Sequence, residues 1–312
     1  MPVGIQTTRT INEPLLRKGL NSAIFLGPSE VPDYTQKLHM QHFSDSQKFA
    51  QWASYGTLPT APEVAEGAPT PIHSIATRWT KTLYIVKDAI GTSLTKEALK
   101  TDQYGIFTVG MHGKMMRNSL DQKQNVRLAD VLNGGFTNSG VYAGWDGSAF
   151  FASDHATEIG NIGVNTIGSG GAYTVSALSP TNLGILMGVA MATVTDQGEQ
   201  FPLMLDGAQL VVPSALDEPA RRYLLGSEQP GTANREMSVI KSGYTAITFP
   251  YLVNQFNWFV LMPNNNMFEL TRMEREAQFY WNQENWEYVA STMQEKTYSF
   301  TDWRRAFGVK GA

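Results

Sequence analysis

The chain has 312 residues, a net charge of −4 at pH 7 and a pI near 5.8. This length can bury a sizeable core, and the negative charge excludes a global basic field that would hold nucleic acid. Cysteine is absent, which excludes disulfides, thiolate catalysis and cysteine-based zinc or iron–sulfur sites.

The first part of the chain predicts an arm followed by a limb. Residues 1–50 are rich in proline and lack a long periodic stretch, so we predict an extended arm with a short helix at residues 44–52. Residues 58–71 hold four prolines, and residues 75–88 are rich in strand formers. This pattern predicts a stiff loop that feeds a strand in a protruding two-stranded limb. The apolar run 83–86 predicts that both faces of the strand end are covered.

Two helical patterns follow the limb. From Ser93, apolar residues recur three to five apart over nearly forty residues, and Asn133-Gly134-Gly135 provides a stop. We predict a long helix capped by Ser93, either continuous or broken near Gly105 or Gly113. A second helix, capped by Ser179 with Pro180 at its first position, runs to about Thr195.

The second helix is apolar nearly all round and is therefore predicted to be buried. Gly184 and Gly188 lie four residues apart, and we interpret this spacing as close packing of the helix on a sheet. The segment is too short to span a membrane.

The organising stretch of the chain is residues 206–226. The apolar run 210–212 predicts a buried strand that must stop at Pro213. A helix follows, with Ser214 as its cap, Asp217 in its first turn and Gly226 as its stop. Further strands are predicted at 237–240, 245–249 and 258–261, and antiparallel strands with one buried face in the last forty-odd residues.

Several residues invite a chemical interpretation. Ser153, Asp154 and His155 are the residue types of a hydrolase triad, but consecutive side chains diverge and cannot form the relay. His155 with Asp146 or Asp154 favours a turn held by carboxylate hydrogen bonds over a metal site, because no HExxH-type pair is present. We therefore predict no catalytic residue, metal site or cofactor.

Three other groups of residues carry weaker signals. The glycines at 168, 170 and 171 lack the Lys-Ser/Thr of a phosphate loop, and we predict a flexible loop there. Acidic residues near loops could hold a cation, but this is the minor interpretation (Asp196, Glu199, Asp206). Cations near the C-terminus could touch DNA only weakly and in a salt-dependent way (Arg304, Arg305, Lys310).

The order of these elements, and three local motifs, resemble the major capsid proteins of tailed bacteriophages. The motifs are residues 102–105 (Asp-Gln-Tyr-Gly), residues 131–136 (Val-Leu-Asn-Gly-Gly-Phe) and residues 145–155, from Trp145 to His155. The last resembles the major head subunit of Mu-like phages, which reads Tyr-Asp-Gly, then Phe-Phe and Asp-His-Pro. Here Trp145 replaces the tyrosine and Ala156 the proline. The resemblance covers roughly residues 40–310.

The resemblance implies the α+β fold known from phage Hong Kong 97. Its parts would be an N-terminal arm at 1–57, an extended loop at 58–92 and a spine helix of the peripheral domain at 93–140. The axial domain would occupy 141–250, and 251–312 would complete the peripheral domain with return strands. Seven limb residues are the candidate inter-subunit contacts on this interpretation: Arg78, Trp79, Lys81, Leu83, Tyr84, Ile85 and Lys87.

The function implied is that of a structural protein which self-assembles into the icosahedral head of a tailed double-stranded DNA phage. Only 17% of residues are charged, which also favours a surface covered by neighbours. Its partners would be itself, as pentamers and hexamers, a separate scaffold, a portal and decoration proteins, with packaged DNA contacted weakly and no membrane. It would be made in the host bacterial cytoplasm and located in the virion. The alternatives are an encapsulin-type shell, which encloses an enzyme, and a metal-dependent hydrolase using Asp146, Asp154 and His155.

Overall fold

The computed structural model describes residues 18, 20–26, 29–75, 77–101, 109–138, 142–157, 160, 162–169, 172–204, 206–225 and 244–311. The chain divides into two compact units. The first comprises Met1–Pro32, Val86–Gln124 and Met273–Lys296, and the second comprises Asp33–Ile85, Asn125–Arg272 and Thr297–Ala312.

The described residues form both helices and strands. The helices are α1 (Tyr34–Lys37), α2 (Lys96–Thr101), α3 (Val109–Asn133), α4 (Pro180–Met191) and α5 (Asp217–Leu225), with a π-helical turn at Ser22–Leu26 and a 3₁₀ turn at Ser214–Leu216. The first eight strands are β1 (Gln41–Ser44), β2 (Phe49–Tyr55), β3 (Thr77–Tyr84), β4 (Val86–Thr95), β5 (His155–Ala156), β6 (Ile162–Gly163), β7 (Gly168–Ser169) and β8 (Ala172–Tyr173). The others are β9 (Ala208–Val212), β10 (Tyr244–Thr248), β11 (Trp258–Leu261), β12 (Met267–Asn282), β13 (Glu287–Phe300) and β14 (Ala306–Val309).

The centre of the second unit is a sheet in the order β10-β9-β11-β14. Strand β9 is buried at every position, runs parallel to β10 and antiparallel to β11, and stops at Pro213 as predicted. Because side chains alternate along a strand, Leu210 and Val212 belong to one hydrophobic cluster and Val211 to another. The sheet therefore has a core on both faces.

Helices α4 and α5 contribute to the cluster that contains Leu210 and Val212. The start of α4 is as predicted, because Ser179 Oγ accepts from the backbone N–H of Asn182 at 3.1 Å and Pro180 follows it. The start of α5 differs, since a 3₁₀ turn occupies Ser214–Leu216 and the helix begins at Asp217. Gly226 and residues 237–240 lie outside the described residues.

The other cluster of the second unit joins the end of α3 to a group of aromatic rings. Leu128 and Leu132 of α3 pack there with Phe150 and Phe300, whose rings stack at 3.7 Å between centroids. Helix α3 ends at Asn133 as predicted, and a Cβ on the following Gly135 would lie 2.7 Å from the Phe151 ring. Only glycine allows this approach.

In the first unit, β4 and β13 are antiparallel, with Thr95 opposite Glu287 and Val86 opposite Lys296. A small cluster of Leu20, Ile24, Met116 and Ala290 forms its core. The long strands β12 and β13 belong to a sheet in the order β1-β12-β13-β4, and the predicted antiparallel strands at the end of the chain are confirmed.

Two predicted helix boundaries are wrong because strand pairing overrides local propensity. Residues 44–52 are not a helix: β1 ends at Ser44, and β2 pairs with β3 from Phe49. Ser93 is not a cap, because it pairs with Val289 inside β4. Thr95 Oγ1 instead accepts from Ala98 N at 3.2 Å, at the start of α2.

Only part of the predicted long helix can be compared with the structure. Helix α2 spans Lys96–Thr101 and α3 spans Val109–Asn133, whereas the predicted break near Gly105 lies outside the described residues. Gly113 is inside α3 and does not break it. At 1.5 Å per residue, the 25 residues of α3 measure about 37 Å.

Candidate assembly surface

The limb is a two-stranded antiparallel ribbon of β2 and β3. Its register runs from Phe49 opposite Tyr84 to Tyr55 opposite Thr77, with an irregularity between Ala53 and Tyr55. Alternation gives the ribbon two different faces. Tyr84 is 67% exposed and its ring is tilted against that of Phe49, at 6.5 Å between centroids, whereas its neighbour Leu83 is 1% exposed.

The inner face of the ribbon is anchored within the second unit. Leu83, with Ile85 beyond the strand end, packs with Phe268 and Leu270 of β12. Trp52 contacts the Phe268 ring edge to face, at 4.7 Å between centroids. The prediction that both faces of residues 83–86 are covered is wrong for the single chain, because Tyr84 and Val86 are exposed.

Lys81 lies on the same inner face and is the unusual residue of the ribbon. It is 8% exposed, its Nζ is buried without a hydrogen-bond partner, and that atom lies 3.8 Å from the centroid of the Phe300 ring. Burial lowers the pKa of Lys81 to about 7, although the negative charge of Asp146 opposes the shift. An unpaired buried ammonium destabilises the fold unless it loses its proton.

Beyond the paired strands, the chain forms a long exposed loop. Residues 60–75 are all exposed, and Ile72 retains 95% of its surface. One anchor is visible: Thr60 donates to the Glu199 carboxylate from its backbone N–H at 2.7 Å and from Oγ1 at 2.5 Å. The tip turns at Gly67, whose φ of +82° suits glycine. The loop therefore exposes apolar surface at Val64, Ile72 and Ile75.

The seven candidate contact residues fall into three groups in the structure. Lys81, Leu83 and Ile85 are buried within the chain, so they present no surface to a neighbour and are corrected as direct contacts. Tyr84 and Lys87 are exposed. Arg78 and Trp79 lie in β3, but their side chains are outside what the structure describes.

The motif at residues 145–155 is a buried structural turn. His155 is fully buried, its Nδ1 lies 2.7 Å from Asp146 Oδ2, and its ring stacks on Trp303 at 4.3 Å. Burial raises the pKa of Asp146, but the hydrogen bond and charge of His155 outweigh it and hold that pKa below its usual value. The predicted turn held by a carboxylate is confirmed.

Asn165, which the sequence analysis did not single out, holds this turn to the rest of the core. Its Nδ2 donates to the carbonyls of Phe150 (2.7 Å), Ala306 (3.0 Å) and Trp303 (3.3 Å). Its Oδ1 lies 2.8 Å from Ala152 N, which donates to it, and 3.2 Å from His155 Nε2. A lone asparagine between glycines carries no sequence signal for such a role.

These contacts argue against the hydrolase alternative. Both ring nitrogens of His155 lie within hydrogen-bond distance of side-chain oxygens of Asp146 and Asn165, while Asp154 is exposed. Within the described part of the chain, no group of three or more His, Asp or Glu side chains is placed to hold a metal ion. The hydrogen bonds of His155 therefore hold the turn together.

Arg304 is also buried and paired with carboxylates. It is buried and donates to Asp196 Oδ1 at 2.5 Å, to both oxygens of Asp302 at 3.1 Å and to the Val194 carbonyl at 3.0 Å. Burial lowers the pKa of Arg304, but the two carboxylates outweigh it and raise the pKa. Arg304 is therefore unavailable to DNA, and Asp196 is already neutralised, so the cation site considered for it is not supported.

A cavity of about 290 Å³ lies within the second unit, next to the end of the ribbon that leads into the exposed loop. Tyr55 and Thr57 line it together with Trp145, Asp146 and the paired Arg304, Asp196 and Asp302.

The glycine-rich loop predicted at 168–171 is a short hairpin at its described residues, because β7 pairs with β8. No helix among the described residues is long and apolar enough to cross a membrane.

This chain was compared with protein-family models, curated proteins and solved structures. A family model described as phage capsid protein matches residues 80–310. The capsid structure of cyanophage P-SCSP1u is similar, with a TM-score of 0.57 and 12% identity over 92% of this chain and 90% of that one. Mycobacterium phage Adephagia gives 0.52 and 14% over 92% of both chains, and the capsid of phage XM1 gives 0.52 and 11% over 93% and 96%. A search of curated proteins found no match.

Proposed function

Because the chain belongs to the phage capsid protein family, and is thus a structural protein of the phage head that assembles into a shell, we propose that the exposed loop of its limb is the clamp between subunits. The observation that carries this proposal is the contrast along the limb. Its base is anchored by Leu83 and Trp52, whereas residues 60–75 are all exposed and Ile72 keeps 95% of its surface.

The energetic argument favours apolar contact over ion pairs. Burying several hundred Å² of apolar surface contributes roughly 10 kcal/mol at about 25 cal/mol per Å², before the cost of ordering the loop. An exposed ion pair at Lys87 contributes under about 1 kcal/mol. The loop's prolines reduce that ordering cost, because they restrict the free loop in advance.

The finer organisation belongs to the same proposal. Subunits form pentamers and hexamers, assembly uses a separate scaffold protein, and portal and decoration proteins complete the head. The chain is made in the host bacterial cytoplasm before it enters the virion. The limb with residues 58–92 serves as the extended loop, residues 93–140 as the spine, 141–250 as the axial domain, and the N-terminal arm and return strands complete the peripheral domain.

Removing the loop tests the clamp directly. Residues 58–75 are replaced by a four-residue glycine–serine turn, which can close the ribbon because Tyr55 and Thr77 are paired. We expect the thermal transition of the unassembled chain to move by less than about 2 °C, since little buried surface is lost. Electron microscopy should show that stable shells no longer form. Shells of normal size and stability would contradict the proposal.

A point variant provides a matched comparison. Ile72→Ser changes a side chain that keeps 95% of its surface exposed in the single chain, so any loss of assembly reports a contact with a neighbour. Thr70→Ser, in the same exposed loop, is the control and should assemble normally. Charge reversal at Lys87 should only shift the salt dependence of assembly.

Packaged DNA is expected to be a weak, non-specific partner. The net charge is −4, and Arg304, one of the few C-terminal cations, is held by Asp196 and Asp302. Binding of isolated subunits to duplex DNA should therefore vanish near physiological salt in a filter-binding titration. A footprint on one DNA sequence would contradict this expectation.

A further inference from the structure

A second cavity, of about 410 Å³, lies within the second unit at the end of helix α3. Its walls come from the end of α3 and the turn after it, from the loop before β11, and from the residue after β14. Its volume is within the range of about 300–1,000 Å³ that is typical of small-molecule sites. Most of the lining side chains are polar, and they include Asp130, Thr137, Tyr142, Asn254, Asn257 and Lys310.

The walls of this cavity are fixed by contacts of the chain itself. Asn133, the last residue of α3, joins the helix to the loop before β11. Its Nδ2 donates to the Tyr251 carbonyl at 3.4 Å, and its Oδ1 accepts from the Val253 N–H at 3.0 Å. The ring of Tyr142 lies against the backbone of Gly134, where an added Cβ would come within 2.7 Å of the ring. The cavity is therefore formed before any ligand arrives.

Asn257 provides the observation that points to a ligand. It is only 6% exposed, and its Oδ1 accepts from the backbone N–H of Gly311 at 3.0 Å. No described residue accepts a hydrogen bond from its Nδ2. A buried side chain that lines the cavity thus has two unused amide donors. Buried donors without an acceptor destabilise a fold, and an acceptor inside the cavity would remove that cost.

Two further groups in the cavity are free to bond a ligand. Within the described residues, no hydrogen bond reaches the Asp130 carboxylate or the Tyr142 hydroxyl. Burial and the charge of Asp130 raise the pKa of Tyr142 against the opposing charge of Arg127, so the phenol keeps its proton. The cavity therefore offers donors at Asn257, an acceptor at Asp130 and both functions at Tyr142.

We propose that this cavity binds a saccharide, with Asn257 and Asp130 bonding its hydroxyl groups and the Tyr142 ring packing against its C–H face. A hydroxyl group both donates and accepts, so neighbouring hydroxyls satisfy an amide donor and a carboxylate acceptor together. The aromatic ring covers the apolar face that such a ligand also has. This site goes beyond shell assembly and uses residues outside the limb.

The charge of the lining argues against other small ligands. Asp130 and Lys310 carry opposite charges, so the lining has no net charge to attract the phosphates of a nucleotide. A single carboxylate is too few for a divalent cation that takes about six or more oxygen ligands. A hydroxyl-rich, uncharged ligand matches the amide, carboxylate and phenol groups that are present.

Saturation-transfer NMR on the whole chain tests the site, both unassembled and in shells. The panel contains hexoses, pentoses and N-acetylhexosamines, each free and as short oligosaccharides, with deoxynucleosides as competitors. We expect at least one saccharide to receive saturation at its ring C–H protons in both samples. A response to the free sugar identifies a soluble ligand, whereas a response to the oligosaccharide alone identifies a glycan chain.

Two conservative variants identify the cavity as the binding site. Asn257→Asp keeps the acceptor for Gly311 and removes both amide donors, and Asp130→Asn keeps the size of the side chain but removes its charge. Each should weaken saccharide binding at least about tenfold. The Tm of Asp130→Asn should stay within about 2 °C of wild type, so this variant decides alone if Asn257→Asp does not fold. Asp154→Asn, exposed and outside the lining, is the control and should bind as wild type.

Four results would overturn the saccharide site. Absence of saturation transfer to every saccharide would show that water alone fills the cavity, and binding unaffected by both variants would place the sugar elsewhere. Tighter binding of a deoxynucleoside would replace the saccharide by a base. Loss of binding in shells would show that a neighbouring subunit fills the cavity. The measurement on the unassembled chain does not depend on the clamp.

Discussion

Lys81→Met should raise the Tm of the unassembled chain by roughly 6–12 °C at pH 6.5, which corresponds to about 3 kcal/mol of added stability. The reason is the unpaired ammonium beneath the ribbon. Because the pKa of Lys81 is about 7 in the fold and 10.5 for an ordinary lysine, charging Lys81 in place costs at most about 5 kcal/mol. The lost contact with the Phe300 ring offsets up to about 2 kcal/mol of the gain. Methionine has a similar length and no charge.

The advantage of Lys81→Met depends on pH in a defined direction. Below pH 7 the lysine is charged in both folded and unfolded states, so the wild-type chain bears the full cost of burying the charge. Between pH 7 and 10.5 the unfolded chain binds the proton and the folded chain does not, so wild-type stability rises with pH. The difference between variant and wild type should therefore shrink as pH rises toward 10.5.

Calorimetry of the wild-type protein and of Lys81→Met at pH 6.5 and pH 10 checks this expectation. Lys87→Met is the control, because Lys87 is exposed and its replacement should change stability by less than about 0.5 kcal/mol. A Tm that falls in Lys81→Met at both pH values would show that the ammonium is stabilised by the fold, and the interpretation of Lys81 as an unpaired charge would be wrong.

The parts of the fold that could be predicted from sequence are those with a local signal. Pro213 cannot donate to a ladder, so the end of β9 was readable, and Ser179-Pro180 marks a helix start in any context. The turn held by the Asp146 carboxylate could also be predicted, because its partner His155 lies only nine residues further along the chain. The helix predicted at residues 44–52 was wrong because β2 pairs with β3, which follows only after a loop of about twenty residues.

The burial of particular side chains was not readable, because it depends on which surfaces meet. Lys81 is an ordinary lysine in a strand until Phe300, more than two hundred residues later, covers its Nζ. The apolar helix α4 gave the opposite error. Its apolar composition predicts a helix that is buried all round, whereas Ile185 and Met191 keep 48% and 54% of their surface.

Asn165→Ala should be among the most destabilising single changes in the second unit, costing about 4–6 kcal/mol. The substitution leaves the Phe150 and Ala306 carbonyls and the Ala152 N–H without their partner in a fully buried site. Each unsatisfied buried group costs about 1–3 kcal/mol. The Tm should fall by more than about 10 °C, or the chain should be recovered only in insoluble form.

Two further variants identify the amide donors as the cause. Asn165→Asp keeps the size and the acceptor, but it turns a carboxylate oxygen toward three carbonyls, so it should be at least as destabilising as alanine. Asn254→Ala, which removes a single acceptor for Phe256 N in an exposed turn, should cost no more than about 1 kcal/mol. If Asn165→Asp instead matches the wild-type Tm, the three donated bonds do not hold the turn. The stability of this region would then come from the stacked His155 and Trp303 rings and from the Asp146 carboxylate.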